Sequence, residues 1–144
     1  MADTLPNHTI YRRRFTVPAA AVDPNGHVNN VAYVQWMQEI AVEHYAAMGG
    51  TAPTQALGAT WVVREHKIVY LRPAFAGEEI EVQTWVVNLR RVRSLRSYRF
   101  LRTSDGALLV RAETDWVFVD AETGRPRRIP AEIARLFQLT SVEP

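Results

Sequence analysis

The segment from Asp23 to Tyr33, DPNGHVNNVAY, combines residue types that can do chemistry on a carbonyl group. Asp23 begins a tight turn of Pro, Asn and Gly that precedes an apolar helical pattern. A carboxylate there can attack a carbonyl carbon or deprotonate a neighbouring water. A helix start adds unpaired N–H groups and the positive end of the helix dipole, which would stabilise an oxyanion. The same residues also suit an ordinary Asx-Pro turn that leads into an asparagine cap, and the two interpretations stay open at this point.

A long amphipathic helix is predicted directly after this segment. Apolar side chains recur at steps of three and four residues, which places them on one helical face. Asn29 or Asn30 can cap the start of the helix, and Gly49 and Gly50 end it. The apolar face holds Tyr33, Trp36, Met37, Ile40, Ala41, His44 and Met48, and the polar face holds Gln35, Gln38, Glu39 and Glu43.

Patterns typical of β-strands fill most of the remaining chain. β-Branched and aromatic residues are concentrated in five stretches, which turn-forming residues separate. A loop is predicted over residues 51–57, and a short closing helix over 130–138, because Pro130 suits a first helical turn. The predicted strands are residues 9–17, 59–71, 79–89, 94–103 and 108–120.

One strand, one long helix and four consecutive strands predict a single α+β domain over residues 1–144. A chain of 144 residues is long enough for one hydrophobic core and too short for a second domain. The helix must bury its apolar stripe against the concave face of one antiparallel sheet. The open edges and the second face of such a sheet predict pairing with further copies, as a homodimer or homotetramer.

Several classes of protein and site are disfavoured by composition and motifs. The chain has no cysteine, which excludes disulfides, thiolate metal sites and a cysteine nucleophile, and it fits a reducing compartment. The four histidines lack metal-ligand spacing, so no metal is expected, and His44 is interpreted as a core or interface residue. No apolar stretch suits a signal peptide or a membrane span, so we expect a cytoplasmic protein without membrane contact.

The segment resembles a family signature, D-x-x-G-H-V-N-N-x-x-Y, of hotdog-fold acyl-CoA thioesterases in the 4-hydroxybenzoyl-CoA thioesterase-like branch (YbgC/FadM type). Further matching stretches are YLRPA at 70–74 with Gly77, DWVFVD at 115–120 and TGRP at 123–126. The resemblance covers about residues 9–137. It implies a hotdog fold, in which one antiparallel sheet wraps a long helix. It also implies hydrolysis of an acyl-CoA to a free acid and CoA, with CoA as part of the substrate and no separate cofactor.

The resemblance also implies roles for individual residues. Asp23 corresponds to the catalytic carboxylate, as nucleophile or as general base. The backbone amides of Gly26, His27 and Val28 correspond to the groups that polarise the thioester carbonyl. Motif positions that shape the helix start and the pocket are Asn29, Asn30 and Tyr33. Many members carry a second Asp two residues before the catalytic one, and Ala21 occupies that position here.

Positive charge is concentrated between residues 88 and 102, which hold six arginines and no acidic residue although the whole chain has a net charge of only +2. Arginine suits bidentate contact with phosphate. With the family resemblance, Arg90, Arg91 and Arg93 are expected to hold the phosphates of CoA. The alternatives are an ordinary solvated strand pair, or nucleic-acid binding with Tyr98 and Phe100 as stacking residues. No nucleic-acid motif accompanies these arginines, so no nucleic-acid partner is expected.

An acyl tunnel is expected where the helix meets the sheet at the subunit interface. Its candidate lining residues are Tyr33, Trp36, Met37 and Trp61, for which a plain core position is the alternative. Two other functions stay open. A hotdog hydratase or dehydratase would need an acid–base pair, for which His27 and Glu39 are the candidates. A non-catalytic acyl-CoA binding module would not need the Asp23 carboxylate.

Overall fold

Five strands and three α-helices follow one another in the computed structural model, which describes residues 10–140. The strands agree with the predicted stretches to within two residues at each end. Residue 9 and the outermost parts of the predicted domain, 1–8 and 141–144, lie outside the described residues. The elements are β1 (Tyr11–Thr16), α1 (Asn30–Ala47), α2 (Thr51–Ala56), β2 (Ala59–Tyr70), β3 (Glu79–Leu89), β4 (Arg93–Arg102), β5 (Leu108–Asp120) and α3 (Ala131–Ala134), with a 3₁₀ turn at Ala19–Ala21.

The five strands form one sheet in the order β1-β3-β4-β5-β2, and every neighbouring pair is antiparallel. Within residues 10–140, β1 and β2 are therefore the edge strands. A register shift between Val63 and Glu65 interrupts the pairing of β2 with β5. Because side chains alternate between the two faces of a strand, the register decides which residues of β2, β4 and β5 lie beneath α1.

Helix α1 covers one face of the sheet, as its apolar stripe predicts. Met37 and Ile40 are fully buried and pack against the central strands through Val82 and Phe100. Burying one such side chain contributes about 1.5–3 kcal/mol, so the stripe holds the helix in place more strongly than helix propensity does. The predicted arrangement of one long helix on one antiparallel sheet is confirmed.

Two predicted segments differ in the structure. The predicted loop at residues 51–57 contains α2, because Pro53 lies in its first turn, where a backbone N–H has no helical partner to lose. The Tyr45 hydroxyl also lies 2.7 Å from Thr54 Oγ1 and fixes α2 to α1. The closing helix is shorter than predicted and ends at Ala134, because the chain then extends and Thr140 N donates to the Val86 carbonyl.

No helix within residues 10–140 has both the length and the apolar character that crossing a bilayer requires.

Candidate functional site

The Asp23 side chain is held by the turn that it begins. Its Oδ1 atom accepts hydrogen bonds from the amides of Asn25 at 2.9 Å and His27 at 3.2 Å. The amide of Gly26 donates to the Asp23 carbonyl at 2.8 Å, and Gly26 has a φ of +84°, which favours glycine. Oδ2 has no hydrogen-bond partner within residues 10–140. One carboxylate oxygen is thus fixed while the other is left to act.

The turn is anchored to the fold on both sides. The amide of Val28 donates to the Ala74 carbonyl at 2.9 Å, and the amide of Asn29 donates to the Ala21 carbonyl at 2.8 Å. The His27 ring meets the Phe75 ring edge to face, with 5.2 Å between the centroids. Contacts with the segment before β3 therefore position Asp23 rigidly at the start of α1.

The first amides of α1 are the available oxyanion donors in this region. The amides of Gly26, His27 and Val28 already donate to acceptors within the chain, so their expected role toward a carbonyl stays a prediction.

Asn29 is the N-cap, because its Oδ1 accepts from the amide of Ala32 at 2.8 Å. The amides of Asn30 and Val31 have no hydrogen-bond partner in the described part of the chain. They lie at the positive end of the helix dipole.

Tyr33 lies beneath the start of α1 among aromatic rings. It is buried, and its ring contacts Tyr70 at 5.7 Å and Phe100 at 5.0 Å between centroids. Burial is the main cause that raises the pKa of Tyr33 to about 12, so its hydroxyl stays protonated at neutral pH. Trp36 packs against both Tyr33 and Phe15, with 5.4 Å and 4.6 Å between the ring centroids.

A cavity of ≈ 200 Å³ lies beneath the second half of α1, toward the β2 edge. Trp61 is the one predicted tunnel residue that lines it, since Tyr33, Trp36 and Met37 belong to the main core instead. The apolar wall comes from α1, β2, β5 and the segment after α3: Ala41, Val42, Tyr45, Ala59, Trp61, Trp116 and Phe137. The polar lining residues are Thr51, Thr54, Gln55, Thr60, Ser94 and Arg96.

Arg96 is a buried cation that the sequence analysis missed. Only 4% of the residue is exposed, and its Nη1 atom lies 2.8 Å from His44 Nδ1 and 3.1 Å from Thr84 Oγ1. Arginine only donates, so His44 Nδ1 is the acceptor and its ring is neutral. Burial, followed by the charge of Arg96, lowers the pKa of His44 to about 4. The missed signal is strand alternation, which places Arg96 on the same face of β4 as Tyr98 and Phe100.

The three predicted phosphate-binding arginines lie at the turn between β3 and β4, away from Asp23. The eleven residues of β3, at about 3.3 Å each, put this turn about 35 Å from the end of the sheet that holds the Asp23 turn. Arg90 and Arg91 are exposed there. Arg93 forms an ion pair with Asp115 at 2.8 Å, so its charge is already compensated.

The pair that a hydratase would use is not assembled in one protomer. The His27 ring contacts Phe75, whereas Glu39 accepts a hydrogen bond from Gln35 on the exposed side of α1. Nine residues at 1.5 Å each place Glu39 about 14 Å along the helix from its first residue. Within residues 10–140, no group of three or more His, Asp or Glu side chains is arranged to hold a metal ion.

Comparison with solved structures supports the fold. A 12:0-ACP thioesterase from Umbellularia californica superposes with a TM-score of 0.83 at 23% identity, over 92% of this chain and 52% of that one. The hypothetical protein SAV2348 from Staphylococcus aureus, solved in complex with CoA, gives 0.83 at 18% identity, over 94% and 89% of the two chains. These likenesses confirm the hotdog fold.

Sequence comparison assigns the family. The chloroplastic acyl-(acyl-carrier-protein) hydrolase FATB2 of Cuphea viscosissima is 23% identical over 133 residues, which are 88% of this chain and 32% of that protein. The chain thus spans about a third of the length of the curated relatives it matches. The model of the thioesterase-like superfamily matches residues 17–137. This chain belongs to the thioesterase-like superfamily.

Proposed function

We propose that this protein hydrolyses the thioester of an acyl-CoA to a free acid and CoA, with Asp23 as its catalytic carboxylate. The observation that carries this proposal is the geometry of the turn. One oxygen of Asp23 is held by two backbone amides, and the other has no partner within residues 10–140. Two unpaired amides at the start of α1 stand a few residues further along the chain.

The chemistry follows from these groups. Oδ2 of Asp23 either takes a proton from a water that attacks the thioester carbon, or attacks that carbon itself. In the second route, the CoA thiolate leaves and water then hydrolyses the mixed anhydride. In both routes the carbonyl oxygen gains negative charge, and we expect the unpaired amides of Asn30 and Val31 to donate to it. Asn29 keeps those amides in position by capping the helix.

A second copy of the chain is part of this proposal. In the described residues, β2 has a neighbour on one side only, and the adjacent face of α1 exposes Val31 at 75% and Val42 at 64%. An edge strand beside an apolar stripe favours pairing with the same surface of another copy. Trp61 lies near the beginning of β2, and Tyr70 lies at its end, next to Tyr33 and the start of α1. Antiparallel pairing of two β2 strands would therefore bring the cavity at Trp61 of one copy beside the start of α1 of the other copy.

The same pairing gives the exposed arginines a role. It would move the β3–β4 turn of one copy toward the end of the assembly that holds the Asp23 turn of the other. Arg90 and Arg91 are then the candidates for contact with the phosphates of CoA, while Arg93 has Asp115 as a competing partner. The printed name of the Cuphea relative specifies an acyl-carrier protein and the Staphylococcus structure contains CoA, so both carriers belong in the test. We expect the activity in the cytoplasm.

The test is release of free thiol from a panel of acyl-CoA and acyl-carrier-protein thioesters. Asp23→Asn keeps an oxygen for the two turn amides but removes the charge, so kcat should fall by about a hundredfold to ten-thousandfold. Asp120→Asn is the matched control, because Asp120 Oδ1 also accepts from two amides, those of Glu122 and Thr123. That variant should keep full activity. Equal thiol release by Asp23→Asn and wild type would refute the catalytic role of Asp23. Absence of thiol release from the wild type, with acyl-CoA binding unchanged in Asp23→Asn, would instead support a non-catalytic acyl-CoA binding module.

A further inference from the structure

The cavity beneath the second half of α1 contains a positive charge without a matching negative one. Arg96 contacts two neutral side chains, His44 and Thr84, and forms no ion pair with a carboxylate of residues 10–140. Asp115 directly precedes the lining residue Trp116 on β5, but its side chain points to the other face of the sheet, where it pairs with Arg64 and Arg93. A buried charge is costly unless a counter-charge compensates it.

A further donor in the wall of this cavity lacks an acceptor. The indole nitrogen of Trp61 is buried and has no hydrogen-bond partner within residues 10–140. Ser94, which also lines the cavity, gives its hydroxyl proton to the Asn88 carbonyl. The lining thus has a guanidinium and an unmatched N–H group, but no carboxylate. A group that supplies oxygen acceptors and negative charge would complete it.

We infer that the cavity binds an acyl group that carries a carboxylate at the end remote from the thioester, and that Arg96 is the residue that selects it. A guanidinium recognises a carboxylate through paired, charge-assisted hydrogen bonds. The aromatic and aliphatic wall, with Tyr45, Trp61 and Phe137, encloses the part of the acyl group between its two ends. This inference rests on the proposed function, because it names the acyl class of that reaction.

The size of the cavity limits the acyl group further. A cavity of about 150 Å³ holds a benzene molecule, so ≈ 200 Å³ accommodates a group slightly larger than a benzene ring. A dodecanoyl chain has twice as many carbon atoms as benzene and would extend beyond this volume through the open side of the cavity. A short dicarboxylic acyl group or a carboxylated aromatic ring does fit. The specificity expected here therefore differs from that in the name of the Umbellularia structure.

The first experiment compares substrates that differ only in the remote carboxylate. Hexanoyl-CoA is compared with adipoyl-CoA, and benzoyl-CoA with 4-carboxybenzoyl-CoA, by thiol release from the wild-type protein. The carboxylated member of at least one pair should have a kcat/KM higher by about tenfold or more. Arg96→Met should lose this preference while it retains activity on the uncharged member. Arg111→Met, which removes an exposed arginine of β5, should keep the wild-type preference.

The second experiment does not depend on turnover. Calorimetry at pH 7.5 compares the binding of hexanoate with that of hexanamide, which has the same shape and no charge. Wild type should bind hexanoate about tenfold more tightly or better, and Arg96→Met should bind the two alike. Replacing a buried ion by an apolar residue of similar length is often tolerated. If Arg96→Met does not fold, Arg96→Lys keeps the charge without the planar fork, and it should reduce the difference.

The outcomes of these two experiments distinguish a failure of the inferred acyl specificity from a failure of the proposed function. Hydrolysis of the uncharged thioesters without any preference for the carboxylated ones would overturn the inference and leave the proposed function standing. Binding of hexanoate through Arg96 without thiol release from any thioester would refute the proposed function but keep the anion site. Equal binding of hexanoate and hexanamide by the wild type would overturn the site itself.

Discussion

The two halves of helix α1 serve chemistry in different ways. At its start, the groups that could act on a substrate are one carboxylate and backbone amides, all supplied by the nine residues from Asp23 to Val31. Beneath its second half, a cavity is lined by residues from six parts of the chain, and the lining residue Arg96 contacts His44 of the helix. The proposed reaction chemistry thus depends on local interactions, whereas the proposed recognition of the acyl group depends on how distant segments pack.

The two ends of α1 also differ in how far their charged side chains are exposed to solvent. Asp23 lies on a partly exposed turn, and two backbone amides donate to its carboxylate. Arg96 is almost completely removed from solvent, and burial lowers the pKa of its guanidinium, although arginine stays charged at any physiological pH. The buried end of the helix therefore holds its charged and titratable groups in a less polar environment than the start of α1 does. This difference gives the prediction with the largest expected effect.

Lowering the pH should destabilise the folded protein, because His44 on the buried face of α1 would have to bind a proton. Its pKa is about 4 in the folded protein and 6.5 in an unfolded chain, because burial and Arg96 oppose its protonation. Between these two pH values the unfolded state binds a proton that the native state does not. The free energy of unfolding should therefore fall by about 3 kcal/mol as the pH drops from above 6.5 to about 4.

Urea unfolding at several pH values measures this loss. His44→Gln can still accept a hydrogen bond from Arg96 but does not titrate, so it should lose less stability than wild type over the same range. His27→Gln, at the exposed turn, should behave as wild type does. An identical pH dependence of His44→Gln and wild type would show that the buried pair does not control the acid response.

The turn at the start of α1 should be the more sensitive region for catalysis. Gly26 has a φ of +84°, and a Cβ atom there would meet no other atom within 4 Å, so Gly26→Val adds backbone strain without a clash. That strain costs about 1–2 kcal/mol. A displacement of about 1 Å at Asp23 would lower kcat/KM by about a hundredfold.

Gly124→Val is the control for this variant. Gly124 has a φ of +75° and an equally open surrounding, and its amide donates to the carbonyl of a preceding aspartate, Asp120, at 2.8 Å. It should lose similar stability in a thermal unfolding experiment and keep its kcat/KM. A comparable loss of kcat/KM in both variants would mean that general destabilisation, rather than the position of Asp23, explains the effect.

The sequence predicts the start of α1 well because its interactions are local. The turn at Asp23, the cap at Asn29 and the helix that follows all depend on residues less than five positions apart, and the structure contains each of them. The hydrogen bonds of the nearby amides could not be predicted in this way. The amide of Val28 donates to the Ala74 carbonyl, and Ala74 comes close to Val28 only in the folded protein.

The cavity could not be predicted from the sequence either, because it also depends on contacts between residues far apart in the chain. Arg96 is one of six arginines in a stretch that resembles a solvated strand pair, and only the register of β4 shows that it points beneath the helix while Arg93 and Arg99 do not. The partner His44 lies 52 residues away. Helix α2, which contributes part of the cavity wall, lies in the segment where Pro53 suggests a loop.

The smallest expected effect concerns the cap that joins the turn to α1. Asn29→Ala removes the acceptor for the amide of Ala32 and should lower the free energy of unfolding by about 1 kcal/mol. Asn30→Ala, one residue further, removes a side chain without a cap contact and should stay within about 0.5 kcal/mol of wild type. If the first amides of α1 hold the oxyanion, Asn29→Ala should also lower kcat more than it changes KM, because fraying of the helix start affects a contact made in the transition state. A loss of stability with unchanged kcat would assign that contact to amides other than those of Asn30 and Val31.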